Sequence, residues 1–390
     1  MRETVRICLP RVMQIGGDSI KEIGAVLKAV GSVKRPLIVT DKRMVQIGIA
    51  GRAQQLLLAA GYSSGIFDEV LPDPTDTVVL EGIDILIAGG YDCVIGIGGG
   101  SSIDAAKAIA VMSRYSRNIL DYRPPTEFFD PGLPMVAIPT TAGTGSEVTH
   151  HTVLIHEASG EKISIRGEAF VPTAAIIDYK LTMSKPKRLI ADNAIDTLTH
   201  AIEAYVSKKR TLFSDRMALD TMRLVGENLE CAYTNPTDEE ARAALMLAAT
   251  FGGIAFSNAS INLVHAMSRP MGSIFNVPHG MCNAMLLTEV TKFSVDAAKD
   301  RYADCARAIG FADKSDDDEV AVSKLLGGLD RYNKVLEVPS VKSFGINIQQ
   351  YLEVADRMAA EALSSGAPNN NPRIPNKEEI IAIYKAVVCE

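Results

Sequence analysis

The feature that most constrains the fold is a change of pattern part-way along the chain. Up to Asp178, short β-branched runs alternate with helical patterns. After Lys185-Pro186 the β-branched runs fade, and long Ala/Leu/Met/Glu-rich helical patterns continue to the end. Strands alternating with helices indicate a parallel sheet, because a parallel connection needs a crossover long enough to hold a helix. At 390 residues the chain also exceeds what one hydrophobic core usually serves. Together these predict an α/β domain over residues 1–184 and an all-α domain over residues 185–390. Val5–Leu9 reads as the opening strand, followed by a helix capped by Asp18 or Ser19. Pro36–Thr40, Cys93–Ile97, Pro134–Pro139 and Ala174–Asp178 read as further strands, and Val153–His156 with Lys162–Arg166 as a hairpin.

The strand Cys93–Ile97 runs directly into Gly98-Gly99-Gly100-Ser101-Ser102 and a helix. Bare backbone N–H groups at a helix N-terminus are suited to receive phosphate. The turn is not a Walker A loop, and Ser101 stands where the third glycine of a dinucleotide fingerprint would fall. A merely tight strand–helix turn is the alternative. A second loop, Thr140-Thr141-Ala-Gly-Thr144-Gly-Ser146, follows the strand Pro134–Pro139 and favours a ligand, since open α/β sheets bind ligands at strand C-termini. Asp41 closes the strand Pro36–Thr40. An acid there can accept from a ribose 2′-OH and favour NAD over NADP, or it can simply cap the next helix.

In the helical half, Asp196-Thr-Leu-Thr-His200 places a carboxylate and an imidazole at i and i+4 in a run free of Pro and Gly, on one face of a helix. His265 follows in Leu-Val-His-Ala-Met, and His279 in a turn-like Val-Pro-His-Gly-Met. One carboxylate and three imidazoles suffice for a divalent metal such as Fe or Zn. A surface Asp–His pair and a core histidine are the ordinary alternatives.

Composition excludes other classes. A net charge of −7 argues against nucleic-acid binding. No apolar stretch approaches the roughly 18 residues that span a bilayer, and the start lacks a signal-peptide pattern. Cys8, Cys93, Cys231, Cys282, Cys305 and Cys389 are scattered, which suits free thiols in a reducing cytoplasm. The expected partner is a small molecule, with no nucleic acid and no membrane.

Several stretches together resemble the iron-dependent (group III) alcohol dehydrogenases, of dehydroquinate-synthase-like fold. They are Val39-Thr-Asp-Lys42, Gly98–Lys107, Pro139–Thr149, Asp196–Tyr205, His265-Ala-Met, Pro278-His-Gly280 and Asn371-Pro-Arg373. The resemblance implies a Rossmann-like NAD-binding domain followed by a helical metal-binding domain. It implies that Asp196, His200, His265 and His279 bind a divalent metal, Fe²⁺ first and Zn²⁺ as the alternative. It places Asp41, Gly99, Gly100, Ser101, Asp104, Thr140, Thr141, Thr144 and Lys162 at the NAD. Phe256 and His151 border the substrate beside the nicotinamide, and His151 and His265 are the candidate catalytic groups. The implied reaction is reversible hydride transfer between a primary alcohol and NAD⁺ in a homo-oligomer, a dimer or larger.

The chain departs from the commoner pattern at Asp192-Asn193, at the pair His150-His151, and at Arg269, where many members carry a second histidine. Arg269 and the histidine pair could hold an anionic or hydroxylated substrate tail. An ion pair of Arg269 behind the ligands is the alternative. Two rival readings follow from the same fold. A dehydroquinate-synthase-like lyase would want a Lys/Arg cluster around the metal, and a maleylacetate-reductase-like enzyme, which works without metal, would not need four ligands.

Overall fold

The structure, a computed structural model, describes residues 4–389. It divides into two compact units: Ile7–Ser184, and a second that runs from Lys185 onward and includes the described residues before Ile7. The first contains β1 (Val12–Ile15), α1 (Ile23–Val30), β2 (Pro36–Val39), α2 (Lys42–Gln46), α3 (Ile49–Ala59), β3 (Gly65–Phe67), α4 (Asp76–Ala88), β4 (Cys93–Gly98), α5 (Gly100–Met112), β5 (Met135–Pro139), β6 (His151–His156), β7 (Glu161–Arg166) and β8 (Ala174–Ile177).

Six of these strands form one parallel sheet in the order β1-β8-β5-β4-β2-β3, while β6 and β7 pair separately as an antiparallel hairpin. Side chains alternate across the sheet. Leu37, Val94 and Met135 pack on one face with α4 and α5; Ile38, Ile95 and Val136 pack on the other with α1 and α3. Burial on both faces explains why these strands read as continuous apolar runs.

The chain leaves β2 through α2 and α3 toward β3, and leaves β4 through α5 toward β5, on the opposite side of the sheet order. Adjacent strands whose connections diverge in this way open a crevice at their C-terminal ends, where ligands of such sheets bind. Close packing holds α5 there: a Cβ at Gly96 would lie 2.7 Å from the Cβ of Ala106.

Two sequence expectations are corrected. Residues Val5–Leu9 form no strand; β1 lies at Val12–Ile15, parallel to β8, with Arg11 N and Gly16 N extending the ladder to Thr173 O and Ile177 O. Long-range pairing, and not local β propensity, decided which run became the strand. Asp18 does not cap a helix through its side chain. Its backbone is left-handed (φ 63°), and its carboxylate pairs with Lys180 and Arg52. Asp178, distant in sequence, accepts from Asp18 N and Ile20 N instead.

The second unit contains α6 (Lys187–Val206), α7 (Leu212–Thr234), α8 (Glu239–Ser257), α9 (Leu263–Phe275), α10 (His279–Ser294), α11 (Lys299–Ile309), α12 (Asp318–Val335), α13 (Ile348–Glu353), α14 (Ala355–Ser364) and α15 (Lys377–Cys389). No strand follows Ile177 among the described residues. One apolar core, running from Ile190 to Val387, holds these helices together. No helix among the described residues is long and apolar enough to cross a membrane.

The Gly96–Ala106 contact generates a test. Gly96→Ala overpacks the α5–β4 seam and should lower the melting temperature by several degrees, the effect of about 1–3 kcal/mol. Adding Ala106→Gly should recover part of that loss, and thermal melts of the single and double variants would show additive losses if the seam were slack.

Candidate active site

The centre is built on α6. Asp196, His200 and Glu203 fall at i, i+4 and i+7, one stripe of the helix, and all three side chains are buried. His265 lies in the first turn of α9, and His279 is the first residue of α10. Gly280 lets α10 approach α6, because a Cβ there would run into the carbonyl oxygen of Asp192. Asp192, one turn before Asp196, is itself fixed by Arg188, whose Nη2 lies 2.7 Å from its Oδ1.

Asp196 Oδ1 is the common point of the cluster. It lies 3.5 Å from His265 Nε2, 3.6 Å from His279 Nε2 and 3.9 Å from His200 Nε2. Ligands about 2.0–2.2 Å from a tetrahedral ion stand roughly 3.3–3.6 Å apart, so the spacing suits a bound divalent metal. Among the described residues, the ligand atoms of Asp196, His265 and His279 lie within 4.8 Å of one another. His200 completes the cluster, stacked between Phe256 at 4.2 Å and His265 at 4.5 Å. The His279 side chain is 44% exposed, which leaves one side of the cluster open to a small molecule.

Electrostatics call for a cation. Burial alone would raise the Asp196 carboxyl, yet the imidazoles of His200, His279 and His265 outweigh it and hold the group well below the usual carboxylate range. Burial would likewise depress His265, but Glu203 and Asp196 on its two sides push it up to about 9. Two buried carboxylates thus demand positive charge, which a proton or a metal can supply. The Asn283 side chain also points into the cluster. Its amide nitrogen donates to Asp196 Oδ1 at 2.8 Å and lies 3.3 Å from His265 Nε2, while its amide oxygen is buried without a partner. The donor set, one carboxylate oxygen with three imidazole nitrogens 3.5–3.9 Å from it, fits a metal site.

Glu203 organises the start of α9. Its Oε1 accepts from Val264 N at 2.6 Å; its Oε2 accepts from Asn262 N at 2.8 Å and lies 2.7 Å from His265 Nδ1. A carboxylate on Nδ1 holds a proton there and leaves the Nε2 side, next to Asp196, free to offer its lone pair to a metal. Sequence reading overlooked Glu203 and Asn283. A signal existed, since Glu203 continues the Asp196–His200 stripe and Asn283 follows His279 by four residues.

The glycine turn stands in the α/β unit, where β2 and β4 diverge. Asp41 Oδ1 caps α2 at Met44 N (3.0 Å), and its Oδ2 accepts from Ser102 Oγ at 3.3 Å, so the carboxylate faces the turn. Gly98 has φ 151°, and Thr140 N donates to its carbonyl at 2.8 Å, bringing the second loop alongside. The loops touch closely: a Cβ on Gly100 would lie 3.0 Å from Thr144 Cγ2. Gly99, Gly100, Ser101, Thr141 and Thr144 are half-buried on this surface.

Other expected residues stand differently. Thr140 is fully buried with its hydroxyl against the Met44 sulfur, beneath the loop. Asp104 ties α5 to the loop and to β6, accepting from Ser146 Oγ at 2.6 Å and Val153 N at 2.9 Å. Lys162, exposed on β7, pairs with Asp73 at 2.6 Å. His151 is half-buried at the start of β6 and stacks on His150 at 4.3 Å. Burial, with Lys107 and Arg166 nearby, lowers His150 to about 4, so that ring is neutral near pH 7.

A parallel sheet with a glycine turn at its switch point and a helical unit with a carboxylate–imidazole cluster define a metal-assisted, nucleotide-linked enzyme class. Residues 10–179 match the family described as iron-containing alcohol dehydrogenase, and residues 190–388 match the Fe-containing alcohol dehydrogenase family, C-terminal. The chain is 35% identical to the NAD-dependent methanol dehydrogenase of Bacillus methanolicus, over 97% of this chain and 98% of that protein. The solved structure of a 1,3-propanediol oxidoreductase superposes with a TM-score of 0.95 at 31% identity, over 99% of this chain and 100% of that one. That of the sulfoacetaldehyde reductase of Bifidobacterium kashiwanohense in complex with NAD⁺ gives 0.88 at 28% identity, over 99% of each chain. The chain belongs to the iron-containing alcohol dehydrogenase family.

If Glu203 fixes His265 for metal binding, Glu203→Gln should weaken metal affinity about 10–100-fold, the usual effect of losing such a support. Titration of the metal-free protein against a competing chelator reads this directly. An unchanged affinity would show that the carboxylate only caps α9.

Proposed function

We infer that this chain is an NAD-dependent alcohol dehydrogenase and aldehyde reductase that holds a divalent metal at Asp196, His200, His265 and His279. The observation that carries the reading is the buried cluster of one carboxylate and three imidazoles, open at His279. When bound, NAD⁺ supplies the hydride acceptor, and the divalent ion, Fe²⁺ first and Zn²⁺ as the alternative, supplies Lewis acidity toward the substrate oxygen.

The chain's own residues do the positioning. Asp196 contributes the anionic donor; Glu203 keeps the His265 proton on Nδ1 and Asn283 orients Asp196 through its 2.8 Å hydrogen bond. Phe256, stacked on His200, shields that ring from water. At the other site we assign the N–H groups of Gly99, Gly100 and Ser101, at the start of α5, to the pyrophosphate. Thr141, Thr144 and Lys162 flank it, with Thr140 and Asp104 holding the loop. Asp41, whose carboxylate faces the turn, is assigned to the adenosine ribose, where it would repel a 2′-phosphate. We assign proton exchange to His151.

The relatives' names span methanol, a propanediol and a sulfonated aldehyde. We propose a small primary alcohol or its aldehyde as substrate. We also propose a cytoplasmic homo-oligomer, a dimer or larger. The compartment is supported by Cys8, Cys93, Cys231, Cys282 and Cys305 being free thiols; the assembly rests on the family resemblance.

Chelation of the purified protein should abolish aldehyde-dependent NADH oxidation, and Fe²⁺ re-addition should restore it. Turnover that survives complete metal removal would overturn the metal role. Separately, Asp41→Ala should raise the ratio of kcat/KM for NADPH over NADH about tenfold or more, the scale of a hydrogen bond to a charged group plus relieved repulsion. An unchanged ratio would confine Asp41 to its cap on α2.

A further inference from the structure

Arg269 stands four residues after His265 on α9, so both side chains leave the same face about one turn apart. Helical side chains lean toward the N-terminus, which carries Arg269 back toward His265. Met267, Ser268, Pro270 and Met271 around it are buried, whereas Arg269 is partly open. Packing against these neighbours lowers its pKa, offset in part by the nearby Glu203 carboxylate.

An arginine serving only the ligands' support would pair with Glu203. That carboxylate is already occupied by Asn262 N, Val264 N and His265 Nδ1. Arg269 makes no hydrogen bond or ion pair among the described residues. Other partly buried arginines of this unit all have partners. Arg188 pairs with Asp192, Arg301 with Asp215 and Arg307 with Asp318. Among the described residues the Arg269 guanidinium nitrogens are not buried, so they stay within reach of solvent, and an incoming oxyanion can replace that water with a planar, two-point match. His150 does not take this part, because burial beside Lys107 and Arg166 keeps its ring neutral.

We propose that Arg269 receives the anionic end of the substrate, which makes the physiological substrate a short alcohol or aldehyde bearing a sulfonate, phosphonate or carboxylate. The proposal rests on the dehydrogenase reading above. Roughly 5–6 Å separates side-chain origins one turn apart, so two or three carbons between the reacting oxygen and the anion fit best.

The test compares kcat/KM for sulfoacetaldehyde and propanal, and for succinic semialdehyde and pentanal, in the metal-loaded wild type, R269A and R269H. The wild type should prefer an anionic aldehyde over its neutral match at least tenfold, and the better pair tells sulfonate from carboxylate. In R269A the anionic-to-neutral ratio should fall about 10–100-fold, chiefly through KM, with metal content unchanged. R269H should shift the preference toward the neutral member.

Turnover without preference for either anion, or a parallel fall in both members of a pair in R269A, would overturn the proposal and leave the dehydrogenase standing. Absence of turnover with every aldehyde would instead sink the dehydrogenase reading. Calorimetric titration with 2-hydroxyethanesulfonate then decides the anion site. Binding to wild type that R269A loses supports it, and no binding to wild type overturns it.

Discussion

The helical unit depends on the stripe that Asp196, His200 and Glu203 form along α6. A buried carboxylate is tolerable only when surrounded by donors or positive charge. Asp196 meets that condition by drawing three imidazoles and the Asn283 amide to one oxygen. Glu203 meets it by binding two backbone N–H groups at the start of α9 together with His265. The two acids therefore set where α9 and α10 begin relative to α6. Gly280 allows the approach, since any side chain there would collide with the Asp192 carbonyl.

The α/β unit shows a parallel logic with different chemistry. The connections diverge at β2 and β4, and the start of α5 stands at the crevice that such a divergence opens. Asp41 joins its two sides by capping α2 and accepting from Ser102.

Legibility differed by residue. Asp196 and His200 were readable because an i, i+4 pair is local geometry, and the turn at Gly98–Gly100 because it sits between a strand and a helix. The strand at Val12–Ile15 was misplaced, since its pairing partner lies at Ala174–Ile177, far along the chain. The N-terminal cap was misjudged for the same reason: the acceptor was Asp178, not Asp18. Thr140 and Thr141 look equivalent in sequence, yet one is buried beneath the loop and the other lies on its surface.

The sequence by itself determined the order of the two units, the strand–turn–helix that forms the glycine loop, and the carboxylate and three imidazoles that gather around Asp196 Oδ1. These follow from periodicity, glycine placement and residue chemistry, all of which act over a few neighbours. Only tertiary structure decided that Glu203 supports His265, that Asn283 reaches Asp196, and that Arg269 finds no carboxylate left to pair with. Each of these is a hydrogen-bond allocation among groups far apart in the chain, and helix packing, not local spacing, decides which donor reaches a buried acceptor first.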